Sequence, residues 1–167
     1  SPLPEYFDRY ILLCNDVTID EAIETSIREI ENAPMDKWKA LGDKVYEPGK
    51  WTLKEMLQHL IDTERIFTYR ALVFARGEAQ QPPSFDEDGY ARASMANRRS
   101  LQEIVDELLV SHQSFRHLYR SFDEEMLLRT GMGFKGPYAV GALGYIMPGH
   151  QRWHFKVLEE RYYPMLG

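Results

Sequence analysis

Three Ser/Thr-x-x-Glu boxes, each heading a run of apolar residues at helical spacing, constrain this chain most. Thr18 with Glu21, Thr52 with Glu55 and Ser100 with Glu103 each offer a hydroxyl to the N–H three residues on. Each also offers a carboxylate that can reach back. Behind the first box, Ile19, Ala22, Ile23, Ile27 and Ile30 predict a helix that fades near Asn32-Ala33-Pro34. Behind the second, Leu53, Met56, Leu57, Leu60, Phe67, Ala71 and Phe74 predict a helix over 52–76, ending before Gly77. The third box heads a helix from about 100 to 121.

A fourth apolar face carries Leu143, Ile146, Met147, His150, His154, Val157 and Leu158, with Pro148-Gly149 inside it. Interior proline costs about 3 kcal/mol in an isolated helix. The periodicity nevertheless continues in phase across Pro148, which predicts one kinked helix rather than a helix that starts there. Residues 4–13 read as a short amphipathic opening. The stretch around Gly42, Pro48 and Gly49, and residues 77–97 and 122–137, read as loops, and no alternating strand pattern is present. The expected fold is all-α: one domain over 1–167, an antiparallel four-helix bundle with short extra helical segments.

The chain is 44% hydrophobic and 13% aromatic, enough for a sizeable core. Lys+Arg 20 against Asp+Glu 26 gives a net charge of -6, which disfavours nucleic acid or anionic lipid as a partner. The longest uncharged stretch, Gly136 to Gly149, is shorter than the about 20 residues of a membrane span. The start, SPLPEYFDRY, lacks a signal peptide's basic region and apolar block, and a few residues are expected to precede its serine. A cytoplasmic location is the expectation. Cys14 excludes an internal disulfide and reads as a small buried hydrophobe rather than a catalytic thiol.

His150 and His154 stand four apart and share a helix face, with Cβ atoms about 5–6 Å apart. Both lie mid-face and should point inward, where they need a metal or hydrogen-bond partners. His59, at the edge of the second helix's stripe, is a possible third ligand, although spacing alone does not bring it near the pair. Core histidines bonded to carbonyls or carboxylates are the alternative. Gln151 follows His150 where a zinc protease would carry its glutamate base, so peptide hydrolysis by that route is disfavoured. His112 and His117, on different faces of the third helix, read as surface or packing residues. Glu55 is explained by its cap. Glu64 lies within an apolar arc and calls for a partner, with an arginine ion pair or support of a metal ligand as the expected roles.

The run PGKWTLKEMLQHLIDTERIFTYRALVFARGE, the loop FDEDGY, the segment RRSLQEIVDEL and the terminal GHQRWHFKVLEERYY resemble the DinB/YfiT-like superfamily of metal-dependent bundle proteins, over about 48–160. The resemblance implies an up-down-down-up bundle with a metal at one end of its interior. The ligands implied are His59, His150 and His154, and the ion is Zn or Ni first, then Fe, Mn or Cu. It also implies a homodimer and, as in some relatives, transfer or isomerisation chemistry that uses a small thiol of the bacillithiol, mycothiol or glutathione kind. On that reading the thiol is held ionised and attacks an electrophilic substrate, with the 77–97 and 122–137 loops as pocket rim and Arg70, Arg152 or Tyr90 orienting an anionic group. One alternative is a non-catalytic metal-binding stress protein or partner-binding bundle. A metal-dependent hydrolase ranks next, because no candidate base stands out.

Overall fold

The computed structural model describes residues 6–14, 16–80, 82–133 and 135–167. After a short opening helix, α1 (Asp8–Ile11), come α2 (Ile19–Glu31), α3 (Met35–Leu41), α4 (Leu53–Ala75), α5 (Glu87–Ala93), α6 (Leu101–Arg120) and α7 (Glu124–Leu128). A small antiparallel hairpin of β1 (Thr130–Gly133) and β2 (Gly136–Ala139) leads into the last helix, α8 (Val140–Val157). The long helices α2, α4, α6 and α8 are the four the apolar periods predict. Thr18 and Thr52 close full capping boxes with Glu21 and Glu55, while Ser100 accepts only the Glu103 N–H. As the in-phase pattern required, α8 runs unbroken through Pro148.

The hairpin corrects the expectation that no strand is present, and the expected short extra helical segments include α3, α5 and α7, in stretches read as loops. The strand signal was hidden because TGMG and GPYA carry no alternation of apolar and polar residues. Their glycines serve packing instead. A Cβ on Gly131 would strike the Phe74 ring, and one on Gly133 the Tyr138 ring. Of the amphipathic opening, the residues before Tyr6 lie outside the described part.

Side-chain pairs set the directions of the four helices. Moving from Asp20 to Glu24 on α2 shifts the partner from Arg120 back to Arg116, so α2 and α6 are antiparallel. Gln58 meets Arg99 just ahead of α6, and Glu64 meets His112 within it, so α4 and α6 are parallel. Trp51 lies by His154 and His59 by His150, so α4 and α8 are antiparallel. Gly144 abuts Ile19 while Gln151 bonds to Ser26, so α2 and α8 are parallel. The order is up, down, down, up.

Two apolar clusters fill the interior. One gathers Ile23, Phe67, Phe74, Phe115 and Met147. The other gathers Ile30, Trp38, Leu57, Leu108 and Leu158. Between them, at the same level of all four long helices, lie buried Ser26, His59, Thr63, Glu64, His112, His150 and Gln151. A polar layer at this depth is tolerable only where its groups bond to one another or to a ligand. No helix among the described residues is long and apolar enough to cross a membrane.

Candidate metal centre

His59 enters the layer from α4, and His150 and His154 from α8. The Nε2 atom of His150 lies 3.1 Å from Nε2 of His59 and 3.1 Å from Nε2 of His154. One ligand atom from each of the three residues falls within 4.8 Å of the others. Two nitrogens bound about 2.0–2.1 Å from one ion stand about 2.9–3.4 Å apart in octahedral or tetrahedral geometry, so the spacing fits a shared cation. The donor set fits as well. Burial, with the positive form of His154 close by, pushes His59 down to about 3. Burial pushes His154 down to about 4. Burial and both neighbours push His150 well below the usual range. All three rings are therefore neutral at pH 7, with lone pairs available to a metal.

Neighbouring rings fix these imidazoles. Trp51 packs on His59 at 4.6 Å and stacks on His154 at 6.2 Å between centroids, and Tyr10 meets His150 edge-on at 5.2 Å. Nδ1 of His59 is 3.3 Å from Thr63 Oγ1. With Nε2 given to an ion, Nδ1 would carry the proton and donate to that hydroxyl, which would set both tautomer and ring angle. The close approach of Tyr10 requires Gly149, since a Cβ there would come within 1.8 Å of the Tyr10 carbonyl oxygen. Pro148-Gly149 is thus where the opening segment docks on α8.

The sequence profile of the DinB superfamily matches residues 20–158. The chain belongs to the DinB superfamily. A solved structure, YfiT from Bacillus subtilis, described as a probable metal-dependent hydrolase with an unusual four-helix bundle topology, superposes with a TM-score of 0.71. At 17% identity, over 99% of this chain and 90% of that one, the likeness speaks to fold alone. No curated protein matches this chain in sequence.

The rest of the polar layer in this DinB-superfamily chain corrects two readings of the sequence. His112 is buried, not a surface residue or ordinary packing. Its Nδ1 lies 2.7 Å from Glu64 Oε2, and its Nε2 lies 2.6 Å from Gln151 Oε1. Glu64 therefore pairs with a histidine rather than an arginine, and Ser111 donates to it at 2.5 Å. Burial pulls the His112 pKa down, but the charge and hydrogen bond of Glu64 outweigh it, and the net shift is upward. Gln151 passes the chain of bonds on, its amide donating to the Ser26 carbonyl at 3.0 Å. No sequence spacing links Glu64 to His112, because the two are 48 residues apart.

His117 is exposed, as expected. Cys14 is buried, its Sγ 3.4 Å from the Tyr145 carbonyl oxygen, and burial raises its thiol to about 11. That agrees with a structural cysteine.

Two cavities flank the triad. The first, about 330 Å³, has His150 in its wall beside Tyr10, Phe67, Arg70, Phe85 and Glu87. The second, about 310 Å³, has His154 in its wall beside Lys50, Trp51, Asp88 and Arg161. Residues from the 77–97 segment line both, as expected of a rim. The 122–137 segment contributes no lining residue to either. Of the three anion-orienting candidates, Arg70 lines one of these two cavities, and Arg152 and Tyr90 line neither. Arg152 donates to the Leu13 carbonyl and pairs with Glu29 at 3.7 Å, and Tyr90 packs on Phe85 at 5.1 Å and is half exposed.

Proposed function

We propose that this protein is a metal-dependent enzyme in which His59, His150 and His154 hold a divalent ion, Zn or Ni first. In this reading it joins a low-molecular-weight thiol, of the bacillithiol, mycothiol or glutathione kind, to an electrophilic substrate. The observation that carries the reading is the pair of cavities of similar size, one reaching His150 and the other His154. A transfer between two small molecules needs two approaches to one centre. Three imidazoles also leave coordination positions for a reactant, unlike a closed four-ligand structural site. Bound there, such an ion supplies Lewis acidity and keeps a coordinated thiol ionised.

The chain's own groups do the rest. Trp51 and Tyr10 shield the imidazoles from bulk water and hold their planes. Thr63 keeps the proton of His59 on Nδ1. Lys50 and Arg161, in the wall of the second cavity, match the carboxylates of a peptide-like thiol. The apolar first cavity receives the electrophile.

A hydrolytic second reading gains one observation. Glu87 lines the first cavity with His150, and burial together with Asp88 and Asp86 raises its pKa. A raised carboxyl pKa is the direction a general acid or base requires.

The test uses untagged protein with its metal content measured, assayed with monochlorobimane against each thiol and, separately, with simple esters. Thiol consumption above background that is lost in His59→Ala supports transfer. Ester cleavage lost in Glu87→Gln, without thiol turnover, moves the assignment to hydrolysis. If chelation only lowers the melting temperature and no assay responds, the bundle is a non-catalytic metal protein.

A further inference from the structure

Arg70 is only 7% exposed, the most buried of the chain's arginines among the described residues. A guanidinium stays charged in any protein environment, and arginine is almost never buried this far without a counter-ion. Arg65, Arg99, Arg116, Arg120 and Arg152 each pair with a carboxylate. Arg70 pairs with none among the described residues. Its Nη2 donates to the Pro83 carbonyl at 3.2 Å, its guanidinium lies 4.9 Å over the Phe67 ring, and its charge and hydrogen-bonding reach extend to the hydroxyl of buried Tyr138. These contacts hold the group in place without neutralising it. Arg70 forms part of the wall of the first cavity.

The rest of that wall sets what accompanies the anion. Phe7, Tyr10, Phe67, Phe85 and Met147 make it apolar and rich in rings. The one carboxylate on it, Glu87, is partly buried and forms no ion pair with Arg70. His59, Thr63, Phe67 and Arg70 follow one another along α4, and eleven residues of helix correspond to about 16 Å between the first and last Cα. The Arg70 cation and the ring of His150, which meets His59, therefore sit toward different ends of one cavity. We propose that this cavity selects an apolar, ring-bearing acid, its anionic group held by Arg70 and its other end directed toward His150. The proposal rests on the reading that this cavity receives the substrate, and it names the substrate's class. A carboxylate or a phosphate monoester would each match the guanidinium fork.

The test measures binding by calorimetry to the full-length protein as purified, without turnover, so it fails or succeeds apart from the thiol assay. The probes are 4-phenylbutyrate, its neutral amide and 3-phenylpropyl phosphate. One of the two acids should bind at least tenfold more tightly than the amide. That preference should vanish in Arg70→Met and largely persist in Arg70→Lys, and which acid leads tells carboxylate from phosphate. Equal binding of acids and amide, binding of none, or an acid preference that survives Arg70→Met in a folded variant overturns the proposal. A preference of the last kind would belong to a metal instead. Should Arg70→Met fail to fold, the wild-type ratio and Arg70→Lys decide the matter.

Discussion

Nε2 of His59 and Nε2 of His150 face each other at 3.1 Å across the bundle, from positions 91 residues apart in the chain. Two neutral imidazoles can share at most one proton along that line, and the third ring, His154, meets the same atom of His150 at the same distance. The cluster is organised around a point between the rings.

The first prediction follows directly. Untagged wild-type protein should bind about one zinc per chain and melt at a higher temperature when loaded. His59→Ala, His150→Ala and His154→Ala should each weaken zinc binding at least 100-fold, read by competition with a chromophoric chelator. Thr63→Val keeps all three ligands but removes the partner of Nδ1, and should weaken binding about 10–100-fold with little loss of fold stability. Unchanged affinity in the alanine variants would remove the metal from this site.

Acid should destabilise the metal-free protein. An unfolded histidine titrates near 6.5, whereas His59 and His154 in the fold do so at about 3 and about 4. Their stabilising contribution is complete above about pH 6.5 and is lost as pH falls toward the folded values. The slope approaches about 1.4 kcal/mol per pH unit for each histidine. His112 acts in the opposite sense. Its raised pKa adds stability that is complete below about 6.5 and fades as pH climbs through the folded value. Urea unfolding of chelator-treated protein between pH 7 and 4.5 should show the first effect, and His59→Phe should flatten it. A flat wild-type profile would contradict neutral burial of the triad.

Glu64 and His112 form a buried pair in the same layer. Glu64→Ala leaves the imidazole without its carboxylate and should cost about 3–5 kcal/mol in urea unfolding. The double variant Glu64→Leu with His112→Phe should recover most of that loss. An additive double variant would mean that the two side chains do not act as a pair.

Gly149→Ala offers a sharp contrast of expectations. On an exposed helix it would stabilise by about 1 kcal/mol. Here the added methyl would meet the Tyr10 backbone, so the opening segment must move. A net loss of about 1–3 kcal/mol is expected, with faster proteolysis near residues 6–14. A gain in melting temperature would show that α1 does not dock where described.

The long helices were legible because each carries its evidence within a few residues: a cap, a period and a stop. The inward aim of His150 and His154 followed from the same period. What escaped were features decided by partners distant in sequence. The hairpin holds together by ladder bonds and by glycines fitted against Phe74 and Tyr138, none of which local spacing records. The partnership of Glu64 with His112, the cover that Tyr10 and Trp51 give the triad, and the lone charge of Arg70 belong to the packed state. Family resemblance, rather than spacing, brought His59 to the pair.

Gln151 has a consequence beyond its own two bonds. It anchors α8 to α6 through His112 and to α2 through Ser26. Successive residues of a helix are about 100° apart around its axis, so a slip of one position would swing the rings of His150 and His154 away from α4. Gln151 works as an indexing pin: it admits a single rotational setting of the last helix, the one in which two donors arrive together opposite the third.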